Sequence, residues 1–150
     1  MKRVAWAGAV QISIIRINMK VNLKHNLEQI RAKNAYEACE KYTFGGKNKG
    51  EVVKKIPTMI RENGFLGALA FAIEKETGYA DVFLAIITHL KTMGLVGDDI
   101  KSCVDFLNLL LERPSGRLRR VTEETMLYLN YLRRFVNLEK KGGNNDNSIK

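Results

Sequence analysis

Side chains able to do acid–base, nucleophilic or metal chemistry are sparse and scattered in this sequence. The two histidines, His25 and His89, each lack a carboxylate at a spacing that would make a catalytic pair, and no His, Cys or Asp spacing fits a metal site. Both read as surface or interface histidines. Asp98-Asp99 could hold a cation, but paired acids ahead of a helix are more simply caps. Phosphate loops, dinucleotide fingerprints, a nucleophile elbow and zinc-pair cysteines are all missing. Cys39 and Cys103 lie far apart in helix-like surroundings, as expected of buried thiols without a disulfide in a reducing cytoplasm. The expectation is a binding protein, not an enzyme, with no cofactor and no metal.

Cations are what the chain has in excess. Its net charge is +9 over 150 residues, which argues for a polyanionic partner, RNA or DNA before a membrane. Lys54 and Arg61 share an outer helical face with Thr58, and Arg119-Arg120 supply two more charges. Towards the C-terminus, Arg133, Arg134, Asn137 and Lys141 form a polar stripe with Asn130, suited to phosphate oxygens and sugars. A solvated polar face is the plainer alternative for that stripe. The aromatic residues read as core and not as a stacking platform, so contacts should be independent of base sequence.

The elements that must position these charges are helices. Phe65 to Ile73, FLGALAFAI, is uncharged and apolar on every side, which places it at the centre of a bundle. Asn63-Gly64 can end the helix before it in a left-handed conformation. That preceding helix, Glu51 to Glu62, has Val53, Ile56 and Ile60 inward and should kink or restart at Pro57. An earlier helix over Asn22 to Tyr42 has Leu23, Leu27, Ile30 and Ala38 on one stripe, with Asn34 as a satisfied amide. A flexible basic loop, residues 44–50, follows it.

Val82 to Met93 is a second interior element, and Gly94 and Gly97 bracket the turn after it. Asp98 or Asp99 would cap the next helix, whose inner stripe is Ile100, Val104, Leu107 and Leu111. After the break at Arg113 to Gly116, the last helix begins with LRRVTEE and is capped by Thr122, with Glu123 and Glu124 at its positive end. Its apolar positions, Leu127, Tyr128, Leu129, Tyr131, Leu132, Phe135, Val136 and Leu138, cover over half the circumference. Six helices in all predict a single all-α bundle over residues 19–141, which at this length buries roughly 70% of its unfolded surface. Residues 142–150 read as a disordered tail.

Residues 1–18 open with two cations and an apolar run, but the run from Val4 to Ile15 is too short to span a bilayer and the small triplet Ala7-Gly8-Ala9 comes too early for cleavage. They read either as a short strand, with Val10, Ile12, Ile14 and Arg16 on one side, or as an unfolded extension ahead of a start at Met19. Without them the charge is still +6, because they hold Lys2, Arg3, Arg16 and no acid.

Three stretches carry a family resemblance. KKIPTMIRENGFLGALAF, Lys54 to Phe71, and RRVTEETMLYLNYLRRFV, Arg119 to Val136, resemble the two signature segments of the small helical subunit of the type III-B CRISPR effector, the Cmr complex. QIRAKNAYEACEK, Gln29 to Lys41, is similar to that family's first helix, so the likeness covers most of residues 19–138. Phe65-Leu66 stands where the family tends to have Leu-Gly, Tyr131 replaces a usual tryptophan, Leu118 stands where an aromatic is common, and residues 1–18 match nothing. The resemblance implies a non-catalytic cytoplasmic subunit that stacks with its own copies into a minor filament, joins other Cmr subunits, and supports the guide RNA/target RNA duplex. By position it implies Lys54, Lys55, Arg61, Arg119, Arg120, Arg133 and Arg134 as RNA-binding, while Lys140 and Lys141 are proposed from charge and the helical wheel alone. The alternatives from other classes are a free-standing basic nucleic-acid-binding protein and a helical nuclease, the latter lacking an acidic cluster for two-metal chemistry.

Overall fold

The computed structural model describes residues 26–44 and 49–145. The expected N-terminal strand, the start at Met19 and His25 lie outside the described residues. Five helices follow in order, and no strand occurs among the described residues: α1 Leu27–Lys41, α2 Lys49–Lys75, α3 Tyr79–Thr92, α4 Cys103–Glu112 and α5 Ser115–Asn145. The architecture is all-α, with five helical elements where six were expected, because α2 holds two expected helices that meet at a kink at Gly64, whose positive φ matches the left-handed end expected at Asn63-Gly64.

The interior helix is α3, which touches each of the other four. Val82, Phe83, Ala85, Ile86, Ile87, His89 and Leu90 of its fourteen residues are buried, and each large apolar side chain so buried stabilises by roughly 1.5–3 kcal/mol. Phe65 to Ile73 is less central than its composition suggests. Phe65, Ala68, Leu69 and Ala72 are buried, whereas Gly67 and Ala70 are exposed and Leu66, Phe71 and Ile73 are partly so. A short uncharged run on a helix can show solvent its small residues at little cost, so uniform apolarity did not make it the centre. Phe65 instead joins three helices, edge-on to Phe83 of α3 and to Phe106 of α4, with ring centroids 5.7 Å from each.

Helix α2 passes Pro57 with helical dihedrals and breaks at Gly64, where φ is 79° and ψ 164°. The lost donor at Pro57 is absorbed inside the helix, whereas the Gly64 conformation is open essentially to glycine alone. The expected inward face, Val53, Ile56 and Ile60, is buried, and Lys54, Thr58 and Arg61 are exposed as predicted.

Other starts and faces differ from expectation. α1 begins at Leu27 because Asn26 closes a capping box with Gln29, and Leu27 is exposed. Phe44, expected in a flexible loop, is buried as an anchor after α1. In α4 the cap is Ser102, whose hydroxyl accepts from the Asp105 N–H, and neither Asp98 nor Asp99 takes that role. Of the predicted stripe Ile100 is buried and Leu107 half-buried, but the helix turns Cys103, Phe106 and Leu110 inward, one position away, so Val104 and Leu111 face solvent. In that rotation Phe106 packs edge-on against Phe65.

Helix α5 starts at Ser115, immediately after Pro114, so Thr122 lies two turns inside. Its hydroxyl donates to the Leu118 carbonyl at 2.7 Å and caps nothing. Leu127 and Leu138 are exposed, since a face wider than half the circumference cannot all turn inward. The helix continues through Gly142 to Asn145, beyond the expected boundary at Lys141. α1 and α5 pack side by side and parallel, with residues 31, 34 and 36 meeting residues 124, 128 and 135 in turn. Both cysteines are buried thiols with no disulfide, and burial, helped by Asp81, pushes the Cys103 thiol up to about 11.

Candidate nucleic-acid interface

The predicted cations fall into two groups. Arg119, Arg120, Arg133 and Arg134 are all exposed on α5. At 100° per residue the two pairs, fourteen positions apart, point to the same side, separated by about 21 Å along the axis. Asn130 lies between them on that face, and Glu123 is its single acid among the described residues. Glu123 accepts from Arg119 Nε at 3.4 Å, an exposed i,i+4 pair that leaves the other three arginines clear of it. Lys140 and Lys141 continue the same helix, but their side chains lie outside the described residues.

Lys54, Lys55 and Arg61 form the second group, exposed on the first half of α2. Lys54 and Lys55 line an open groove with Thr58, Met59, Asn63, Phe71 and Tyr79. Arg134 lines a different groove between α1 and α5, with Glu28, Arg31, Leu127, Asn130 and Tyr131. The two grooves share no lining residue, and Arg61, Arg119, Arg120 and Arg133 line neither. Phe71 and Tyr79 also correct the reading that aromatic residues are all core: both are half-buried and open into the α2 groove.

A buried polar network holds α5 in the rotation that exposes its arginines. Arg31 of α1 donates from Nε and Nη2 to the two oxygens of Glu124, at 2.8 and 2.9 Å. His89 of α3, fully buried, lies 2.9 Å from Glu124 Oε1 through Nε2 and 2.9 Å from the Asn34 amide nitrogen through Nδ1. With the amide donating to Nδ1, the ring proton sits on Nε2 and is given to Glu124. The His89 ring stacks on Tyr128 at 4.2 Å, and the Tyr128 hydroxyl donates to the Asn34 carbonyl at 3.4 Å. Burial alone would raise the Glu124 carboxyl above its ordinary 4.5, but hydrogen bonds from Arg31 and His89 outweigh it and hold the group at about 2. The same bond raises the Arg31 guanidinium, and burial raises the Tyr128 phenol.

The sequence reading missed this network. His89 was expected at a surface or an interface and Glu124 at a helix start, yet they meet between α3 and α5 inside the bundle. Arg31 and Glu124 are 93 positions apart, and His89 and Glu124 35. No local pattern signals such a pairing. Asn34 does match its expected role as a satisfied amide. Among the described residues no three His, Cys, Asp or Glu side chains are grouped to hold a metal, and no helix is long and apolar enough to cross a membrane.

Comparison with known proteins gives one family. The family model described as CRISPR-associated protein (Cas_Cmr5) matches residues 27–139. No curated protein and no solved structure matches the chain.

Proposed function

The chain belongs to the Cas_Cmr5 family, the small subunit of the type III-B CRISPR effector, and from that premise we propose that it is a non-catalytic clamp on RNA phosphates. In this reading, copies of the chain stack beside the other Cmr subunits. The α5 face and the α2 lysines lie along the guide RNA/target RNA duplex, with base pairing reading the sequence and the protein contacting backbone only. The observation that carries the reading is the outward α5 face, with four exposed arginines and one acid over about 21 Å. Exposed Val104 and Leu111, seven residues apart on α4, support contact with a further protein surface.

The test is target-RNA affinity of a reconstituted guide-bearing Cmr assembly across a salt series. It compares the native chain, the Arg133→Glu/Arg134→Glu variant and an assembly without the small subunit. The native chain should tighten binding, and the variant should incorporate but lose that gain, with the salt slope shallower by about 2. Unchanged affinity and slope in the variant would sink the clamp on α5. A chain that neither incorporates nor changes affinity would instead favour a free-standing nucleic-acid binder.

A further inference from the structure

The α2 groove has a composition that phosphate binding does not require. Its floor is Met59 with the half-buried rings of Phe71 and Tyr79, and its rim is Lys54, Lys55, Thr58 and Asn63. The rings meet edge to face, 5.1 Å between centroids at 90°, so they form a corner with one flat wall and one edge. Lys75 stands 5.8 Å over the Phe71 ring, adding a third cation at the aromatic wall. Among the described residues no acid lines this open groove, whose volume is about 410 Å³.

This corner exists because α2 breaks. On a straight helix Lys54 and Phe71, seventeen residues apart, would be separated by about 25 Å and could not line one groove of this size. The positive φ at Gly64 turns the second half of α2 so that Phe71 comes round to the lysines, and Tyr79 closes the corner from the start of α3.

We propose that the Lys54–Lys55–Phe71–Tyr79 groove is a seat for one unpaired nucleotide of single-stranded RNA. The base stacks in the aromatic corner, its phosphate meets Lys54 and Lys55, and the Asn63 amide and Thr58 hydroxyl reach the sugar or base edge. Aromatic faces accept any base, so the seat is tolerant of sequence, while the cations select a polyanion over a neutral ring. The proposal rests on the RNA-binding reading and deepens it: a duplex keeps its bases stacked internally, so Lys54 and Lys55 would serve an unpaired nucleotide beside the duplex while α5 serves the duplex itself.

The experiment titrates the full chain with two fluorescein-labelled oligoribonucleotides of about 8 units, a length suited to one protein of this size. One is oligouridine and the other is the same backbone with abasic riboses. The native chain should bind the base-bearing strand at least roughly fivefold tighter. Phe71→Leu should bring that ratio near one, Phe71→Tyr should keep it, and Lys54→Glu/Lys55→Glu should weaken both strands alike. Arg133→Glu/Arg134→Glu should leave the ratio unchanged, which separates this seat from the α5 clamp.

Equal affinity of the native chain for both strands overturns the proposal without any variant and leaves the clamp standing. A preserved ratio together with an inert α5 variant in the assembly would sink the clamp and leave the seat. If the ratio is near one and Phe71→Leu prevents incorporation into the assembly, the groove belongs to a protein neighbour, and the proposal also fails.

Discussion

Two regions of the bundle are held together by opposite means. On one side α2, α3 and α4 meet through Phe65, Phe83 and Phe106, rings buried to within a few per cent and packed edge to face. On the other, α1, α3 and α5 meet through Arg31, Asn34, His89 and Glu124, a charged and polar network with His89 fully buried and Arg31 and Asn34 partly so. The aromatic side draws on area removed from water and on ring geometry. The polar side is different in kind. Desolvating two charges costs several kcal/mol per ion, and only complete hydrogen bonding offsets it. What that side gains is direction: bidentate and tautomer-specific bonds admit one rotation of α5, whereas an apolar seam tolerates several.

The contrast is sharpest in how the two sides respond to deletion and to pH. Glu124→Ala leaves the part-buried Arg31 guanidinium and the buried His89 without their acceptor and should cost up to roughly 3–5 kcal/mol at neutral pH. Phe83→Ala leaves a cavity and should cost a similar amount, roughly 3–5 kcal/mol. Denaturant titrations at several pH values separate them. Because the folded carboxyl of Glu124 sits at about 2, below its ordinary 4.5, its stabilisation is fully present above 4.5 and is lost as pH falls towards 2. The gap between native and Glu124→Ala should therefore close across that window, while the Phe83→Ala gap stays open. A pH-independent gap for both would erase the distinction.

Disturbing the break that shapes the α2 groove should cost less than either deletion. Gly64→Ala meets no atom within 4 Å of the added methyl, so its cost is conformational alone: φ of 79° with ψ of 164° disfavours an L side chain by roughly 1–3 kcal/mol. A thermal melt shifted downwards with the fold retained is the expected result, and an unshifted melt would show that α2 straightens freely. A smaller loss, about 1 kcal/mol, is expected of Ser102→Ala, which removes the side-chain acceptor at the start of α4. Glu123→Gln should change stability by less than about 0.5 kcal/mol, since its partner Arg119 is as exposed as it is. Set beside Glu124→Ala, that adjacent pair of glutamates on one helix measures what burial adds to an ion pair.

The outward surfaces were more readable than the polar interior. Arg119, Arg120, Arg133 and Arg134 are exposed because long cations avoid burial, and periodicity places them on one side of α5 whatever the helix packs against. His89 and Glu124 gave no such signal. A histidine among Thr88, Leu90 and Lys91 looks the same in a sequence whether its partner is water or a carboxylate from another helix. Phe71 and Tyr79 failed in the reverse direction, since apolar type suggested core and only the turn at Gly64 left them lining an open groove.

By itself the sequence determined the all-α class, the inward face of the first half of α2, the interior character of Val82 to Leu90 and the cationic surface. Each follows from local chemistry repeated at helical spacing, which acts before any long-range contact forms. Only the tertiary structure decided that α3 and not Phe65 to Ile73 is the innermost helix, that α4 is rotated by one position, and that Glu124 faces inward to Arg31 and His89. Those choices depend on which side chains meet across tens of residues of chain, and the energy that settles them resides in the contact between elements, where no single helix carries it.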